Sequence, residues 1–524
     1  MRRRGFLAGL TGSLVAPSIG SAQGIRVLKF VPRTGLALLD PVWTTETVTR
    51  AFGVMIWESL YSVDEQLTPR PQMAEGEVVD QDGRRWTIRL RDGLRFHDGE
   101  PVLGRDCIAS IERWMKRDAV GRTIAGRLDE LSAPDDGTIV FRLKKPFPRL
   151  AFALGKAQPN LLPIMPARLA ATDPSKQVSE IIGSGPFRFE AKEFAPGSFA
   201  AMSRFAEYTP RADAPSGTAG ARVVHFERVE WQVIPDGATT AAALSRGEVD
   251  WIETPIPDLV PNLRRNKNLT VDLFDPYGIY ALLRLNHLQP PTDNVGVRQA
   301  IMAAIDPEEL MFAVTGGDAK AYTAPVGCFL PGSPSDNKAG MERLGGKRSP
   351  DEIREMLRQA GYKGERLVLL DPADTPAHAM FQIIAARLSA AGMNVDDVVI
   401  DQATVIQRRN NRGPVEKGGW SGLIALAPAA DHLDPLVALG LRTGPAAWIG
   451  WPNDPKIEEL RDRWLDSTDP TEQMRLAAAI QEQALTDVLY VPLGRFFQWS
   501  AWRKNVTGVL RSTVPVFWNV RRQS

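Results

Sequence analysis

The chain has 524 residues, a length that predicts roughly three or four domains or two large lobes. An apolar content of 44% and a charged content of 24% are ordinary for a globular protein and exclude a disordered or low-complexity chain. The net charge of +1 gives no basic excess, so we expect no nucleic-acid partner.

The first 24 residues have the order of a signal peptide. Arginines at positions 2–4 precede an apolar run over 6–15, and small residues follow up to Ala22. The arginine pair followed by Gly-Phe-Leu fits the twin-arginine signal of folded cargo, and an ordinary secretory signal is the alternative. No cysteine lies near the expected cleavage point, and no later segment reaches about 18 uncharged apolar residues. We therefore expect an exported, periplasmic, soluble protein without a lipid anchor there.

The first half contains one strongly patterned β segment. Apolar and polar residues alternate over 86–90, Asp92-Gly93 offers a two-residue turn, and the alternation resumes over 94–96. This pattern predicts a β-hairpin. Apolar residues at helical spacing over 108–115 predict a helix packed after it, and a further strand is expected over 139–143.

The second half contains four helix starts with recognisable caps. Each places an aspartate, serine or threonine before a proline, and three of them add a glutamate three residues after the capping residue. Short β-rich runs lie between them, and this alternation predicts an α/β fold. The helices are expected to begin at Asp306-Pro307, Ser349-Pro350, Thr375-Pro376 and Asp469-Pro470, with strands over 367–370 and 398–400.

Enzyme motifs are missing from the sequence. HExxH, GxSxG, a Walker loop, CxxC and a GxGxxG after a strand do not occur. The five histidines are scattered, and no two have the helical spacing of metal ligands. We therefore expect a binding protein and not an enzyme, with no resident metal and no cofactor.

A polar cluster follows an uncharged run in the stretch LIALAPAADHLDP, residues 423–435. Asp431, His432 and Asp434 stand together there. Asp434 precedes a proline and is the better candidate for a helix N-cap, which leaves Asp431 free. A capping role for Asp431 itself is the alternative. We expect His432 to lie at the rim of a pocket at this point.

Six sequence blocks follow one another from about residue 40 to the end of the chain. They are LRDGLRFHDGEPVLGRDCIASIERW, IIGSGPFRFE, IPDGATTAAALSRGEVDWIE, LNHLQPPTDNVGVRQAIMAAIDPEEL, IREMLRQAGYKG and YVPLGRF. In this order they resemble the landmarks of the family 5 bacterial extracellular solute-binding proteins. These are the dipeptide- and oligopeptide-binding components of ABC importers.

The resemblance implies an α/β periplasmic-binding-protein fold of the class II, cluster C type, with two lobes, a hinge and an extra inserted domain. Lobe 1 would comprise residues 25–45, 181–272 and 488–524 plus the inserted domain at 46–180, and lobe 2 would comprise 273–487. A ligand that touches both lobes favours the closed state. The implied partners are this ligand and the membrane subunits of an ABC permease, and we expect a monomer.

The two cysteines, Cys107 and Cys328, are too few for a disulfide framework in an exported chain of this length. The implied domains place them in different lobes, where a crosslink would lock relative motion. We expect two unpaired and mostly buried thiols.

The resemblance also gives Asp431 a role. In peptide-binding members a carboxylate just before a DP dipeptide pairs with the ammonium of the ligand, and Asp431 has that position. Such a bond contributes on the order of 1.5 to 3 kcal/mol in a closed cleft. The empty protein must stay open or neutralise the carboxylate. Peptide binders often carry an aromatic residue three positions earlier, and Pro428 stands there instead, which keeps non-peptide ligands as an alternative.

Further residues are candidates for the ligand site. An early loop that the resemblance places at the cleft carries an aromatic residue and two hydroxyls, and Trp43 as a core residue is the alternative. A ligand carboxylate would need a cation, for which Arg408, Arg409 and Arg412 in QRRNNRG are candidates. Arg412 is favoured among them, and a solvated loop is the default. Two more residues lie on the hinge-facing strand, and one lies beside Asp431. The candidates are Trp43, Thr44, Thr45, Tyr280, Asn286, Arg412 and His432.

These features predict a periplasmic substrate-binding protein of an ABC importer that captures a short peptide or a similar amino-bearing solute. Opines, sugar derivatives and metal chelates are alternative ligands of the same fold. An exported hydrolase of cell-wall fragments would need Asp431 and Asp434 as acid and base, and these lie too close in sequence to make a convincing pair. A folding helper for exported chains is a third alternative.

Overall fold

The computed structural model describes residues 26–80, 82–345 and 348–523, so the predicted signal peptide over 1–24 lies outside the described residues. Across these ranges, no helix is both long and apolar enough to span a membrane. The strands are β1 (Val27–Val31), β2 (Tyr61–Val63), β3 (Pro69–Pro71), β4 (Ala74–Val79), β5 (Arg85–Leu90), β6 (Leu128–Asp135), β7 (Thr138–Leu143), β8 (Phe187–Phe189), β9 (Phe199–Arg204), β10 (Arg228–Gln232), β11 (Trp251–Ile252), β12 (Leu269–Asp272), β13 (Ile279–Leu285), β14 (Tyr322–Thr323), β15 (Arg366–Pro372), β16 (Asn394–Ile400), β17 (Gly422–Pro428), β18 (Val491–Phe496), β19 (Ser500–Arg503), β20 (Val506–Thr507) and β21 (Arg521–Arg522). The helices are α1 (Thr47–Ile56), α2 (Gly104–Arg117), α3 (Ala119–Arg127), α4 (Leu150–Ala153), α5 (Ala167–Ala170), α6 (Gly237–Arg246), α7 (Val260–Arg265), α8 (Val295–Ala304), α9 (Pro307–Val314), α10 (Pro350–Gln359), α11 (Ala377–Ala390), α12 (Gln402–Arg408), α13 (Pro455–Asp466) and α14 (Pro470–Thr486).

The first sheet forms lobe 1 and has the strand order β12-β19-β11-β1-β10-β9-β8. Its central strand β1 runs parallel to β10 and β11, and the outer pairs are antiparallel. The rings of Phe30, Trp231, Trp251 and Phe517 pack together with several centroid distances of 5.0 to 5.8 Å. Phe52 of α1 belongs to the same apolar cluster. This core therefore fixes α1 on lobe 1, close to the lobe boundary.

The inserted domain contains a four-stranded antiparallel sheet with the order β4-β5-β7-β6, and α2 packs against β6 and β7. The predicted helix over 108–115 and strand over 139–143 are confirmed in α2 and β7. The predicted hairpin over 86–96 is wrong, because β5 pairs with β4 and β7 and not with the residues after the turn. Gly93 does turn with φ 78°, but the residues beyond it close a separate loop in which Phe96 N donates to Glu100 O at 2.8 Å. Alternation specifies the buried face of a strand without specifying its partner.

The second sheet forms lobe 2 and has the order β14-β18-β13-β17-β15-β16. All seven residues of its central strand β13 are buried. One of them is Arg284, whose guanidinium is satisfied by carbonyl oxygens: Nε bonds to Ile449 O at 3.0 Å and Nη1 to Gly440 O at 2.9 Å. Because buried cations need such partners, Arg284 ties β13 to the loops around it.

The predicted capped helices of lobe 2 are confirmed as α9, α10, α11 and α14, and the predicted strands lie within β15 and β16. The capping box is complete, since Ser349 Oγ accepts from Glu352 N and the Glu352 carboxylate accepts from Ser349 N at 2.8 Å. Asp306 and Asp469 accept from backbone N–H groups in the first turns of α9 and α14. Local sequence was sufficient to place these four elements.

The chain crosses between the two sheets through residues 273–278, which join β12 to β13, and through residues 497–499, which join β18 to β19. Strand β18 pairs with β13 and β14 and so belongs to the second sheet, whereas the boundary expected at residue 488 assigns it to lobe 1. Gly278 in the first crossing has φ 77°, and a Cβ there would lie 2.9 Å from the ring of Phe497 in the second. The two crossings are therefore in close contact, as expected for a hinge.

Both cysteines are unpaired and buried, as predicted. Cys107 lies on α2 of the inserted domain, and Cys328 precedes the loop that contacts the end of β17. Each packs in the apolar core of the molecule. The two thiols act as small apolar side chains.

Candidate ligand-binding cleft

Asp431 lies at the contact between the two lobes. It follows β17 in a short turn over Ala429–His432, and its side chain is buried. Arg50 of α1 donates from Nη1 to Oδ1 at 2.9 Å and from Nη2 to Oδ2 at 3.0 Å. Asp431 is therefore free of a capping role in this turn, as expected, but it has an ionic partner within the chain. A cation from the opposite lobe neutralises it, which is one of the two states open to a buried carboxylate in an empty cleft.

A second buried ion pair lies beside the first. Lys156 Nζ is 3.1 Å from Asp118 Oδ2 and donates to Asn160 O at 3.1 Å. Burial raises the pKa of the Asp431 carboxyl, and the charges of Arg50 and Lys156 oppose that rise. Burial likewise lowers the pKa of Lys156, against the pull of Asp118. Two cations and two carboxylates thus balance one another in a buried cluster, and a group that enters must replace the charge it displaces.

Asp434 makes the capping hydrogen bonds expected for it, but in a turn, since no helix begins at Pro435 in the described part of the chain. Its Oδ1 accepts from Leu436 N at 2.9 Å and from Val437 N at 3.2 Å. Its Oδ2 accepts from the guanidinium of Arg149, which lies 4.2 Å from the ring of Phe152. Asp434 is therefore committed to a turn of lobe 2 and to an ion pair with the inserted domain.

Further polar contacts join the lobes. They link the inserted domain or the early loop of lobe 1 to helices and turns of lobe 2, so that the cleft is closed in this structure. The contacts are Arg127 and Lys145 with Asp466 at 2.7 and 3.1 Å, Glu46 with Arg409 at 3.4 Å, and Gln158 Nε2 with Ala430 O at 3.1 Å.

A small crevice lies at the hinge. Both lobes and both crossings line it, through residues that include Arg33, Thr47, Asp275, Pro428 and Gln498. Thr47 lies one turn before Arg50 on α1, and Pro428 lies three residues before Asp431, so the crevice adjoins the Arg50–Asp431 pair. Burial raises the pKa of Asp275 to about 7, Arg33 opposes this rise, and the charge of Asp431 adds to it.

The early loop lies at the edge of the cleft. Trp43 is half-buried, and its Nε1 donates to Ser175 O at 2.9 Å. Thr44 is buried and its Oγ1 accepts from Glu46 N at 3.3 Å, while Thr45 is half-buried. The neighbouring Glu46 pairs with lobe 2, so this loop borders the lobe contact. A ligand-binding role of the three residues stays a prediction.

Tyr280 and His432 pack behind Asp431. Their rings stack with centroids 4.1 Å apart, and both side chains are buried. His432 was expected at the rim of the pocket and is instead in the core, where its Nδ1 lies 3.2 Å from Cys328 O and burial lowers its pKa to about 4. The Tyr280 hydroxyl is buried and has no hydrogen-bond partner within the described ranges. This stack supports the turn that carries Asp431.

Asn286 and Arg412 lie at the opposite end of lobe 2 from Asp431. Asn286 follows β13 about 20 Å from Tyr280 by the rise of an extended strand. Its side chain is buried, and its Nδ2 donates to Trp420 O at 2.9 Å. The guanidinium of Arg412 lies 5.0 Å from the ring of Trp451. The structure does not bring either residue to the Asp431 cluster or to the crevice.

The sequence patterns did not identify Arg50 as the cation that pairs with Asp431 in the cleft. Arg50 is the single charged residue in the stretch TVTRAFGVMIW, residues 47–57, which is otherwise apolar or hydroxyl-bearing. A lone arginine within such a helix signals a buried partner, because an unpaired buried cation is costly. Gln158 was missed as well, and the sequence around it gives no comparable signal. Among the described residues there is also no group of three or more His, Cys, Asp or Glu side chains that could hold a metal ion.

Two sheets joined by a double crossing, with a charged cleft between them, define the class of two-lobed solute-binding proteins. Comparison with known proteins agrees with this class. The family model of the bacterial extracellular solute-binding proteins, family 5, middle region, matches residues 68–435. The chain belongs to this family, as its sequence blocks predicted.

Three similar proteins illustrate the relationship. The probable peptide ABC transporter periplasmic-binding protein y4tO of Sinorhizobium fredii is 34% identical over 533 aligned residues, which cover 99% of each chain. The structure of AgaA from A. tumefaciens R10 in complex with agropinic acid has a TM-score of 0.80 and 21% identity, and covers 95% of this chain and 99% of its own. DppA from Helicobacter pylori in complex with the peptide STSA has a TM-score of 0.79 and 21% identity, and covers 95% and 98%. The two structures establish the fold.

Proposed function

We propose that this protein is the periplasmic substrate-binding component of an ABC importer, and that it captures a short peptide or a similar amino-bearing solute between its lobes. The observation that carries the proposal is the position of Asp431, a buried carboxylate on lobe 2 that faces a cation of lobe 1. The name of the S. fredii relative and the peptide bound to H. pylori DppA support it.

Capture follows from the geometry of the two lobes. When the lobes open, Arg50 and Asp431 separate and become hydrated. A solute whose ammonium group reaches Asp431 restores its charge pairing, and closure then removes water from the contact and strengthens it. A solute that touches both lobes shifts the equilibrium toward the closed state by its differential affinity. The permease subunits are the partners that would receive the closed form.

The test is a binding measurement on the Asp431→Asn variant. The asparagine keeps the size of the side chain and removes its charge, so we expect a loss of affinity of about 10- to 100-fold for ligands with a free ammonium. Native mass spectrometry with a library of di- and tripeptides identifies the ligands. Isothermal titration calorimetry then measures their affinities for wild type and variant.

Asp466→Asn is the matched control, since Asp466 joins the lobes at their outer edge without contacting Asp431. We expect it to change affinity by a few-fold at most. Equal binding by wild type and Asp431→Asn would remove the proposed anchor.

A non-peptide solute is the second candidate. Pro428 lines the crevice where an aromatic ring would offer a peptide-binding surface, and the similar AgaA binds the opine agropinic acid. Titration with agropinic acid beside the peptide library separates the two classes. Tighter binding of the opine than of every peptide would favour this candidate.

A hydrolase is disfavoured by the contacts of Asp434. Asp434, the carboxylate that neighbours Asp431 in the sequence, is used as a cap and in an ion pair with Arg149. A general acid and base need access to the same substrate bond, which this arrangement does not provide. Incubation with peptide and glycan libraries, followed by mass spectrometry, checks for turnover, and we expect none.

Export and oligomeric state belong to the same proposal. We propose that residues 1–24 direct the chain to the periplasm and are removed, leaving a monomer without a lipid anchor. N-terminal sequencing of the exported protein checks cleavage, and light scattering after size exclusion checks the monomer. Fusion of the leader to a reporter that folds before export separates a twin-arginine signal from an ordinary secretory one.

A further inference from the structure

A carboxylate lies within the hinge itself. Asp275 belongs to the crossing over residues 273–278, and its side chain lines the hinge crevice. It is half-buried, and its Oδ1 accepts from Tyr277 N at 2.9 Å. Among the described residues no arginine or lysine forms an ion pair with it, and backbone N–H groups supply its hydrogen bonds. A carboxylate held away from water without a cation favours its protonated form.

The cations that face Asp275 from other elements are bonded elsewhere. Arg33, which follows β1, donates from Nη1 to Gln498 Oε1 at 3.3 Å. Arg495 of β18 donates from Nη2 to Thr323 Oγ1 at 3.2 Å. Their charges act on Asp275 through space and favour its ionised form, but neither guanidinium bonds to it.

Other carboxylates face the same crevice. Glu253, which follows β11, lines it and accepts from Arg33 N at 2.8 Å. Asp431 adds its negative charge, although its own oxygens are bonded by Arg50. Burial raises the pKa of Asp275 to about 7, backbone N–H groups and Arg33 oppose this rise, and Asp431 adds to it. The surroundings of Asp275 in the closed cleft thus favour a neutral carboxyl group.

Both lobes enclose this group, so its surroundings change when the lobes separate. Lobe 1 contributes Thr47 and Glu253 to the wall of the crevice, and lobe 2 contributes Ile279 and Pro428. Opening draws these walls apart and admits water around Asp275, whereas closure removes the water. Hydration favours the ionised carboxylate, and its loss favours the protonated one.

We infer that Asp275 is a proton site in the hinge, so that the cleft takes up a proton when its lobes close on a solute. The proton comes from the solvent, forms an O–H bond on the carboxylate and returns to the solvent on opening. The inference goes beyond the proposed function, because it holds for any solute that closes the cleft.

Acid therefore favours the closed cleft. The open form loses the proton above its ordinary pKa of about 3.9, and the closed form keeps it up to about pH 7. Within this window closure consumes a proton, and each rise of one pH unit weakens solute binding by up to about 10-fold. Below the window both forms carry the proton and above it neither does, so the dependence ends at each side. A solute is thus held more tightly in an acidified medium.

The test is the pH dependence of binding in wild type and Asp275→Asn. Isothermal titration calorimetry follows the tightest-binding member of the di- and tripeptide library from pH 5 to pH 7, where an α-ammonium group stays charged. We expect the affinity of wild type to fall by at least about 10-fold over this range. Repeating the titration at pH 6 in buffers of different ionisation enthalpy counts the protons, and we expect an uptake approaching about one per solute.

The variants isolate Asp275 from other titrating groups. Asp275→Asn is neutral at every pH and keeps an acceptor for Tyr277 N, so its affinity should be independent of pH and its proton uptake should be lost. Asp272→Asn is the matched control. Asp272 is exposed three residues earlier, where its Oδ1 accepts from Leu273 N at 2.7 Å, and we expect this variant to keep the wild-type pH dependence.

The ligand-free protein gives a second readout. Small-angle X-ray scattering should show a larger radius of gyration for wild type at pH 8 than at pH 5.5, and the same radius at both for Asp275→Asn. No proton uptake by wild type at pH 6, or an equal pH dependence in wild type and Asp275→Asn, overturns the proton site and leaves the proposed function in place. If no peptide binds wild type, the proposed peptide function fails, and the scattering alone decides the proton site.

Discussion

At the scale of single residues, burial decides the state of the ionisable groups. The imidazole of His97 is buried in lobe 1, its Nε2 lies 3.0 Å from Gly185 O, and its Nδ1 accepts from Gly183 N at 3.2 Å. This arrangement uses both ring nitrogens of the neutral form. Burial lowers the pKa of His97 to about 4, and that of His432 to the same value. Both residues are structural histidines that acid will disturb.

We expect stability to fall as the pH is lowered from about 6.5 to about 4. The unfolded chain takes up a proton on each histidine below its ordinary pKa of about 6.5, while the folded chain does not until about pH 4, so acid favours unfolding. His97 contributes on the order of 3 kcal/mol over this range. Melting temperature against pH measures the slope for wild type and His97→Gln, which should be flatter. His225→Gln, at a half-exposed position, is the control with a smaller change, and identical slopes in all three proteins would contradict the assignment.

At the scale of elements, helices are specified by local sequence signals, whereas strands depend on partners from distant parts of the chain. Helix α10 is specified by a capping box written within four residues of sequence. Strand β5 is specified by alternation, but its partners β4 and β7 are set by the packing of the whole inserted domain. Caps satisfy N–H groups of their own helix, whereas strand edges are satisfied by any compatible neighbour. Helix boundaries are therefore readable in this chain where strand partners are not.

Ser349→Ala should lower the free energy of unfolding by about 1 kcal/mol, because the N-terminus of α10 then loses its cap. Urea denaturation measures the change. Ser245→Ala is the matched control, since Ser245 lies within α6 and its hydroxyl, among the described residues, bonds to Ala241 O alone. We expect that change to stay within about 0.5 kcal/mol. An effect of Ser349→Ala no larger than that of Ser245→Ala would show that the cap does not stabilise the protein.

At the scale of the whole molecule, the two lobes are held closed by charges. The Arg50–Asp431 pair lies deep in the cleft beside the hinge crevice, and Asp434 and Asp466 pair with the inserted domain. In the open state these groups are hydrated, so the closed state depends on every buried charge having a partner. The ligand-free equilibrium is therefore set by ion pairing as much as by apolar contact.

We expect Arg50→Met to open the ligand-free protein. An unpaired Asp431 costs about 3–5 kcal/mol in the closed cleft and little in the open one, so the equilibrium shifts toward opening. Small-angle X-ray scattering should give a larger radius of gyration for the variant than for wild type at pH 8. Combining Arg50→Met with Asp431→Asn removes both charges and should return the radius toward the wild-type value. An unchanged radius in the single variant would mean that the pair does not hold the lobes together.

The sequence by itself determined the α/β class, the family and the four capped helices of lobe 2. It also identified Asp434 as a capping residue and Asp431 as a candidate ligand contact. These depend on local periodicity, on side chains that bond within a few residues, and on ordered family landmarks, all of which are readable along one chain. Only the tertiary structure decided that Arg50 faces Asp431 across 381 positions, that His432 is buried behind it, that Asn286 and Arg412 lie elsewhere, and that β18 pairs in lobe 2. The reason is physical: a buried charge or a strand edge requires a partner, but any chemically suitable group can serve, and the folding of distant segments selects which one does.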